Sequence, residues 1–182
     1  KTLAYIWKKP IVPINHLLGH IYANWISTTN EQQLTAKNKK LEVSSQVLEV
    51  GFPALALIVS GGHTDLVLIK NHGNIKWLGG TRDDAAGEAL DKIGRLLKLP
   101  YPGGPAIENA AKKGNPKTFN FPRPMIDSND LDFSFSGLKA AVFREVKTIK
   151  QFSNVTIANL SASVQQAIVD VLVSKTFKAA QK

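Results

Sequence analysis

Ala54-Leu55-Ala56-Leu57-Ile58-Val59-Ser60-Gly61-Gly62-His63-Thr64-Asp65-Leu66-Val67-Leu68-Ile69 sets two apolar runs on either side of a polar, glycine-containing turn. The runs are short and bounded by turn formers, which predicts two strands, Ala54 to Val59 and Leu66 to Ile69. Gly61 and Gly62 carry no Cβ, so the chain there is free to take positive φ and to come close to another backbone or to a ligand. Backbone N–H groups in such a turn can point at an anionic or hydroxyl-bearing group, and Ser60 and Thr64 add hydroxyls. The same Gly-Gly pair is ordinary hairpin chemistry, so taken alone the turn fits a plain connection as well as a binding loop.

Downstream, Asn71-His72-Gly73-Asn74 turns the chain into a third strand around Ile75 to Leu78, which completes a three-stranded antiparallel meander. Thr81-Arg82-Asp83-Asp84 has the form of a capping box opening a helix whose buried face carries Leu90, Ile93, Leu96 and Leu97. Tyr101-Pro102-Gly103-Gly104-Pro105 ends that helix and starts another, with Pro105 at its first position and the free N–H groups beside Gly103 and Gly104. Phe119 to Pro124 reads as a loop. Phe133 and Phe135 alternate with Ser134 and Ser136 as a short strand, a helix follows from Leu138 to about Lys147, and a last helix packs Val164, Ala167, Ile168, Val171 and Leu172.

Upstream, Ile14, Leu17, Leu18, Ile21, Tyr22 and Trp25 recur at helical spacing between Ile14 and Ile26, after Pro10 and Pro13. The polar stretch from Ser27 to Ser45, with Lys37, Lys39 and Lys40, reads as a linker. It divides the chain into a part spanning 1–50 and a second subdomain spanning 51–182.

With 182 residues and 43% apolar content, the chain can bury a core for one domain or slightly more. No apolar run approaches the roughly 20 residues needed to cross a bilayer, and Lys1-Thr2-Leu3-Ala4 lacks the plan of a signal peptide, so membrane and secretory classes are not supported. The absence of cysteine excludes disulfides, thiolate zinc sites and thiol catalysis. A formal charge of +9 and a pI near 9.8 favour a polyanionic partner such as nucleic acid. The first residue is not Met, and the last apolar pattern runs into Lys182 without a stop signal, as expected of a segment of a longer protein.

His16 and His20 stand four apart on the first expected helix, so their rings share a face and can share one metal ion. Zinc peptidases need Glu directly after the first His, and position 17 is Leu, which argues against that chemistry. Imidazoles suit zinc or iron. Asp91, one turn past Gly87, can accept hydrogen bonds from ribose hydroxyls or serve as a solvated helix acid. Gly103 and Gly104 suit a ligand site or a tight connection, and His63 and Glu108 are open in the same way.

Five stretches, taken in order, resemble the tRNA adenosine threonylcarbamoyltransferase family, once described as O-sialoglycoprotein endopeptidases. They are His16-Leu17-Leu18-Gly19-His20; Leu57 to Thr64; Asp83-Asp84-Ala85-Ala86-Gly87-Glu88-Ala89-Leu90-Asp91-Lys92; Tyr101 to Pro105; and Phe133-Ser134-Phe135-Ser136-Gly137-Leu138-Lys139. The resemblance implies an α/β chain of the actin-like ATPase (ASKHA) superfamily, built from ribonuclease-H-like subdomains and incomplete at both ends. It implies transfer of a threonylcarbamoyl group from threonylcarbamoyl-AMP to the exocyclic amine of the adenosine next to the anticodon, in tRNAs reading codons that begin with A. It matches His16 and His20 to the metal pair, for one divalent ion, Fe or Zn. Ile58, Val59, Ser60, Gly61 and Gly62 match the substrate loop, and Asp91, Gly104 and Glu108 match the nucleoside contacts of threonylcarbamoyl-AMP or ATP. Partners are tRNA and the other subunits of the transfer complex, in the cytoplasm. No general base is assigned.

This chain carries Leu18 where the family has Glu, and the family's phosphate loop, an Asn contact and an Asp metal ligand fall outside residues 1–182, so this segment alone is expected to be inactive. The paired imidazoles and the glycine turn are expected to line one crevice. The alternative is a non-catalytic nucleotide-binding scaffold of the same fold.

Overall fold

The computed structural model describes residues 1–23, 50–150 and 152–181, and it divides into two units, Lys1–Phe52 and Pro53–Lys182. The expected linker, together with Trp25 and Ile26, lies outside the described residues.

The first unit contains α1 (Thr2–Ile6) and α2 (His16–Tyr22). Helix α1 buries no residue, so no apolar period betrays it in the sequence. Helix α2 begins two residues later than the periodicity suggests because Asn15 caps it, its side chain accepting from the N–H groups of Leu17 at 3.0 Å and Leu18 at 3.2 Å.

The second unit opens with the meander: β1 (Ala54–Val59), β2 (Thr64–Asn71) and β3 (Asn74–Gly80), antiparallel in the order β1-β2-β3. The register sets Val59 opposite Thr64 across the glycine turn and Asp65 opposite both Ile58 and Gly80. Gly73, with φ at +80°, supplies the left-handed residue of the second hairpin. Gly61 and Gly62 are not in that region, contrary to the sequence reading; what their missing side chains leave is open space, with nothing within 4 Å of either ideal Cβ.

Four helices follow: α3 (Ala86–Leu96), α4 (Gly103–Ala111), α5 (Ser136–Thr148) and α6 (Asn154–Ala180). They share one core with the sheet, in which Leu66, Ala86, Ala89, Ile93, Leu97, Ile107, Phe133, Phe135, Leu138, Leu160 and Val164 are fully buried. Helix α6 is long and apolar enough to cross a membrane by length and composition alone, and half of its most apolar window is buried inside the unit. It differs from an uninterrupted apolar run because Gln165, Gln166 and Asp170 punctuate it.

Three start signals act differently from their sequence reading. Thr81 does not cap α3: its hydroxyl donates to the Asp84 carbonyl at 2.8 Å, and Ala85 is the cap residue. Helix α4 starts at Gly103, so Pro105 is its third residue, where the N–H that Pro lacks has no partner within the helix. The alternation at 133–136 makes one bridge, Phe133 to Thr81, rather than a strand, and α5 begins at Ser136.

Asp83 supplies the missing cap for α5 from a distance. Its carboxylate accepts from the N–H groups of Phe135 at 2.8 Å and Ser136 at 3.2 Å, and from the hydroxyls of Ser134 at 2.5 Å and Ser136 at 2.6 Å. Partial burial alone would raise its pKa; the hydrogen bonds from Ser134, Ser136 and the two N–H groups outweigh that and hold it below the ordinary carboxylate value. A carboxylate lowered on folding stabilises the fold above its unfolded pKa, about 3.9, and that contribution is lost as pH falls through the folded value. Acidification from pH 6 to pH 3 should therefore lower the urea midpoint of the wild type more steeply than that of Asp83→Asn, which starts less stable at pH 6.

Candidate functional site

Helix α3 joins four of the five sequence motifs. At its start, the Ala86 N–H donates to the hydroxyl of the fully buried Thr64 at 2.9 Å, and the Gly87 N–H donates to the Ser60 carbonyl at 3.1 Å. Only glycine fits at 87, since a Cβ there would stand 2.6 Å from the Ser60 carbonyl oxygen and 2.9 Å from Gly61 Cα. The glycine turn is thus seated on the positive end of the α3 dipole. One turn further along, Asp91 Oδ1 accepts from the Gly103 N–H at 2.7 Å and so caps α4. Gly94 packs on Gly103, with an ideal Cβ 3.0 Å from its Cα. Just before the helix, Asp83 reaches Ser134 and Ser136.

Within the turn, the Ser60 N–H donates to the His63 carbonyl at 2.8 Å. The Ser60 hydroxyl accepts from the N–H groups of Gly62 at 3.3 Å and His63 at 3.0 Å. With both lone pairs engaged, its own proton is left to donate outward. Ser60, Gly61 and Gly62 are exposed, Ile58 is half-buried, and Val59 is 46% exposed. The turn therefore presents a hydroxyl donor on an accessible, Cβ-free surface.

Asp91 is half-buried, and one bond to Gly103 leaves its carboxylate with acceptor capacity for hydroxyl groups. Gly104 follows Gly103 in the first turn of α4, where an ideal Cβ would lie 3.9 Å from the Leu90 side chain. Glu108, one turn on, is exposed and lines a cavity of about 400 Å³ with Lys112, Gln165 and Gln166. The structure thus brings Ser60 to Gly62 and the start of α4 with Gly104 against α3, which carries Asp91, while Glu108 lines the α4–α6 groove. Replacing Asp91 by Ala should cost about 1 kcal/mol of stability, the worth of a helix cap, as read in urea melts.

In the first unit, His16 and His20 are exposed on α2 with their Nε2 atoms 3.1 Å apart and their rings edge to face. Two nitrogens bound to one tetrahedral ion at zinc–nitrogen distances stand about 3.3 Å apart, so the pair fits a shared divalent metal. Among the described residues, no cluster of three metal-ligating side chains occurs.

Sequence reasoning overlooked two charged groups. Lys175 is fully buried on α6, where Nζ donates to Ser128 Oγ at 2.7 Å and to the Asp130 carbonyl at 2.8 Å, and burial lowers its pKa. Asp84, beside the start of α3, pairs with Lys92 Nζ at 2.5 Å and lies 3.5 Å from Lys139 Nζ. Lys175 and the Asp84–Lys139 contact had no spacing signal, because their partners are distant in sequence.

A meander whose glycine turn rests on the N-terminus of a helix, with three more helices packed behind it, defines an α/β protein. All 182 residues match the model of one family, tRNA N6-adenosine threonylcarbamoyltransferase, and the chain belongs to that family. Proteins so named in Thermomicrobium roseum, Moorella thermoacetica and Desulfitobacterium hafniense are 44%, 45% and 47% identical over 100%, 99% and 98% of this chain. Those matches cover 52%, 47% and 47% of the relatives, so the chain spans about half the length of the curated relatives it matches.

Proposed function

We propose that the full-length protein transfers the threonylcarbamoyl group of threonylcarbamoyl-AMP to the exocyclic amine of the adenosine next to the anticodon, in tRNAs reading codons that begin with A. The observation that supports this best is the convergence of four family motifs on α3, which seats the glycine turn and Asp91 one helical turn apart, about 6 Å along the axis. That spacing suits the phosphate and the ribose of one nucleotide. In this reading Ile58 to Gly62 hold the phosphate side through the Ser60 hydroxyl and the open glycine surface, and Asp91, Gly104 and Glu108 receive the nucleoside.

His16 and His20 hold one divalent ion, iron or zinc. The chemistry such an ion supplies is polarisation of the carbamoyl oxygen. The net charge of +9 suits tRNA as the acceptor. Residues 1–50 then form the end of a first ribonuclease-H-like subdomain and 51–182 the start of a second, within an actin-like ATPase fold working in the cytoplasm with partner subunits. The test is reconstitution: the full-length protein with its partner subunits, given threonylcarbamoyl-AMP and unmodified tRNA, should yield the modified nucleoside on digestion. Failure to form it would defeat the proposal.

A further inference from the structure

The geometry points to His63 as the group that takes the proton released when the amine attacks, with Asp65 holding its ring for that task; this rests on the transfer reaction proposed above. His63 follows the double glycine directly, and its side chain is 46% exposed. Its Nδ1 lies 3.5 Å from Asp65 Oδ2, and the Asp65 side chain is only 16% exposed. Asp65 is held in turn: the Trp77 indole N–H donates to its Oδ1 at 3.0 Å. Across the ladder stands Gly80, where a Cβ would come within 2.5 Å of that same Oδ1 and 2.7 Å of the Trp77 ring. The backbone of His63 is pinned by its two hydrogen bonds to Ser60.

With Nδ1 turned toward the Asp65 carboxylate, Nε2 is the ring nitrogen left to take a proton. In an acyl phosphate the reacting carbon is one oxygen away from phosphorus, so a side chain beside the phosphate-holding turn also stands beside that carbon. The amine nitrogen forms its bond to the carbamoyl carbon, the carbon–oxygen bond to phosphate breaks, and AMP leaves with that electron pair. The proton shed by the amine passes to His63 Nε2 and then to water. Asp65 touches no reacting atom. It is a positioning residue that holds the ring from its Nδ1 side.

The test is single-turnover transfer by the full-length protein with its partner subunits, using preformed threonylcarbamoyl-AMP and tRNA. His63→Ala should slow transfer at saturating donor by about 100-fold or more, leave donor affinity within about twofold, and regain rate as free imidazole is added. Asp65→Asn should slow transfer by less, without rescue by imidazole. Should His63→Ala fail to fold, His63→Gln carries the same rate and affinity measurements. Transfer that survives the substitution, falls only in step with donor affinity, or ignores imidazole overturns the role of His63 alone. No transfer by the unsubstituted protein overturns the parent reading and this one with it.

Discussion

Replacing His16 and His20 together by alanine in the full-length protein should reduce bound iron or zinc to below about a tenth of the wild-type content and slow tRNA modification by at least about 100-fold. The expectation follows from the two Nε2 atoms, 3.1 Å apart on one face of α2. Both rings are exposed and neither contributes to the buried core, so the stability change should stay within about 0.5 kcal/mol. Metal analysis of the purified protein and circular dichroism separate loss of the ion from loss of the fold. Full metal content in the double variant would remove these histidines from the site.

Gly87→Ala should be the most damaging single methyl added near the glycine turn. In a helix interior, Gly to Ala normally gains up to about 1 kcal/mol. Here the new carbon would lie 2.6 Å from the Ser60 carbonyl oxygen and 2.8 Å from its carbon, both backbone atoms pinned by the turn. Overpacking against atoms that cannot yield costs about 1–3 kcal/mol, so crowding outweighs propensity. The net result should be a loss of about 1–2 kcal/mol in denaturant melts, with weaker donor binding as α3 tilts away from the turn. Gly61→Ala is the contrast. Its Cβ meets nothing within 4 Å and its φ is not left-handed, so stability should change by less than about 0.5 kcal/mol. If the turn receives the donor, that methyl occupies the ligand's space and donor affinity should fall at least tenfold. Unchanged affinity in Gly61→Ala would show that the turn is only a hairpin connection.

Local signals in the sequence were legible where one residue's choice depends on its neighbours. Pro53 and Ser60 bracket an unbroken apolar run, and β1 has the expected bounds. The expected core of α6 is buried at Val164, Ala167, Ile168 and Val171. Strand β2 is longer than expected because Thr64 and Asn71, polar ends that an apolar count discards, still pair across the ladders. Start signals failed where a polar side chain spends its hydrogen bonds outside the helix it precedes, or a distant one takes over. Thr81 turns to Asp84, Thr64 takes over at Ala86, and Asp83 reaches past about fifty residues to Ser134. The candidate site was legible as a set of spaced residue types. How they interlock was not: that Gly87 is a seat, that Asp91 caps α4, and that Trp77 steadies Asp65 depend on strand register and helix packing, which no spacing reveals.

The six uncharged residues of β1 lie at the margin of the sheet, with one side of their backbone unladdered among the described residues and five of them half-buried. Natural proteins blunt such margins with lysine, proline or a bulge, and this one carries none of these between Ala54 and Val59. Among the described residues that rim is therefore open to pairing with another extended segment. A polypeptide limited to these residues would be expected to stick to itself through that rim.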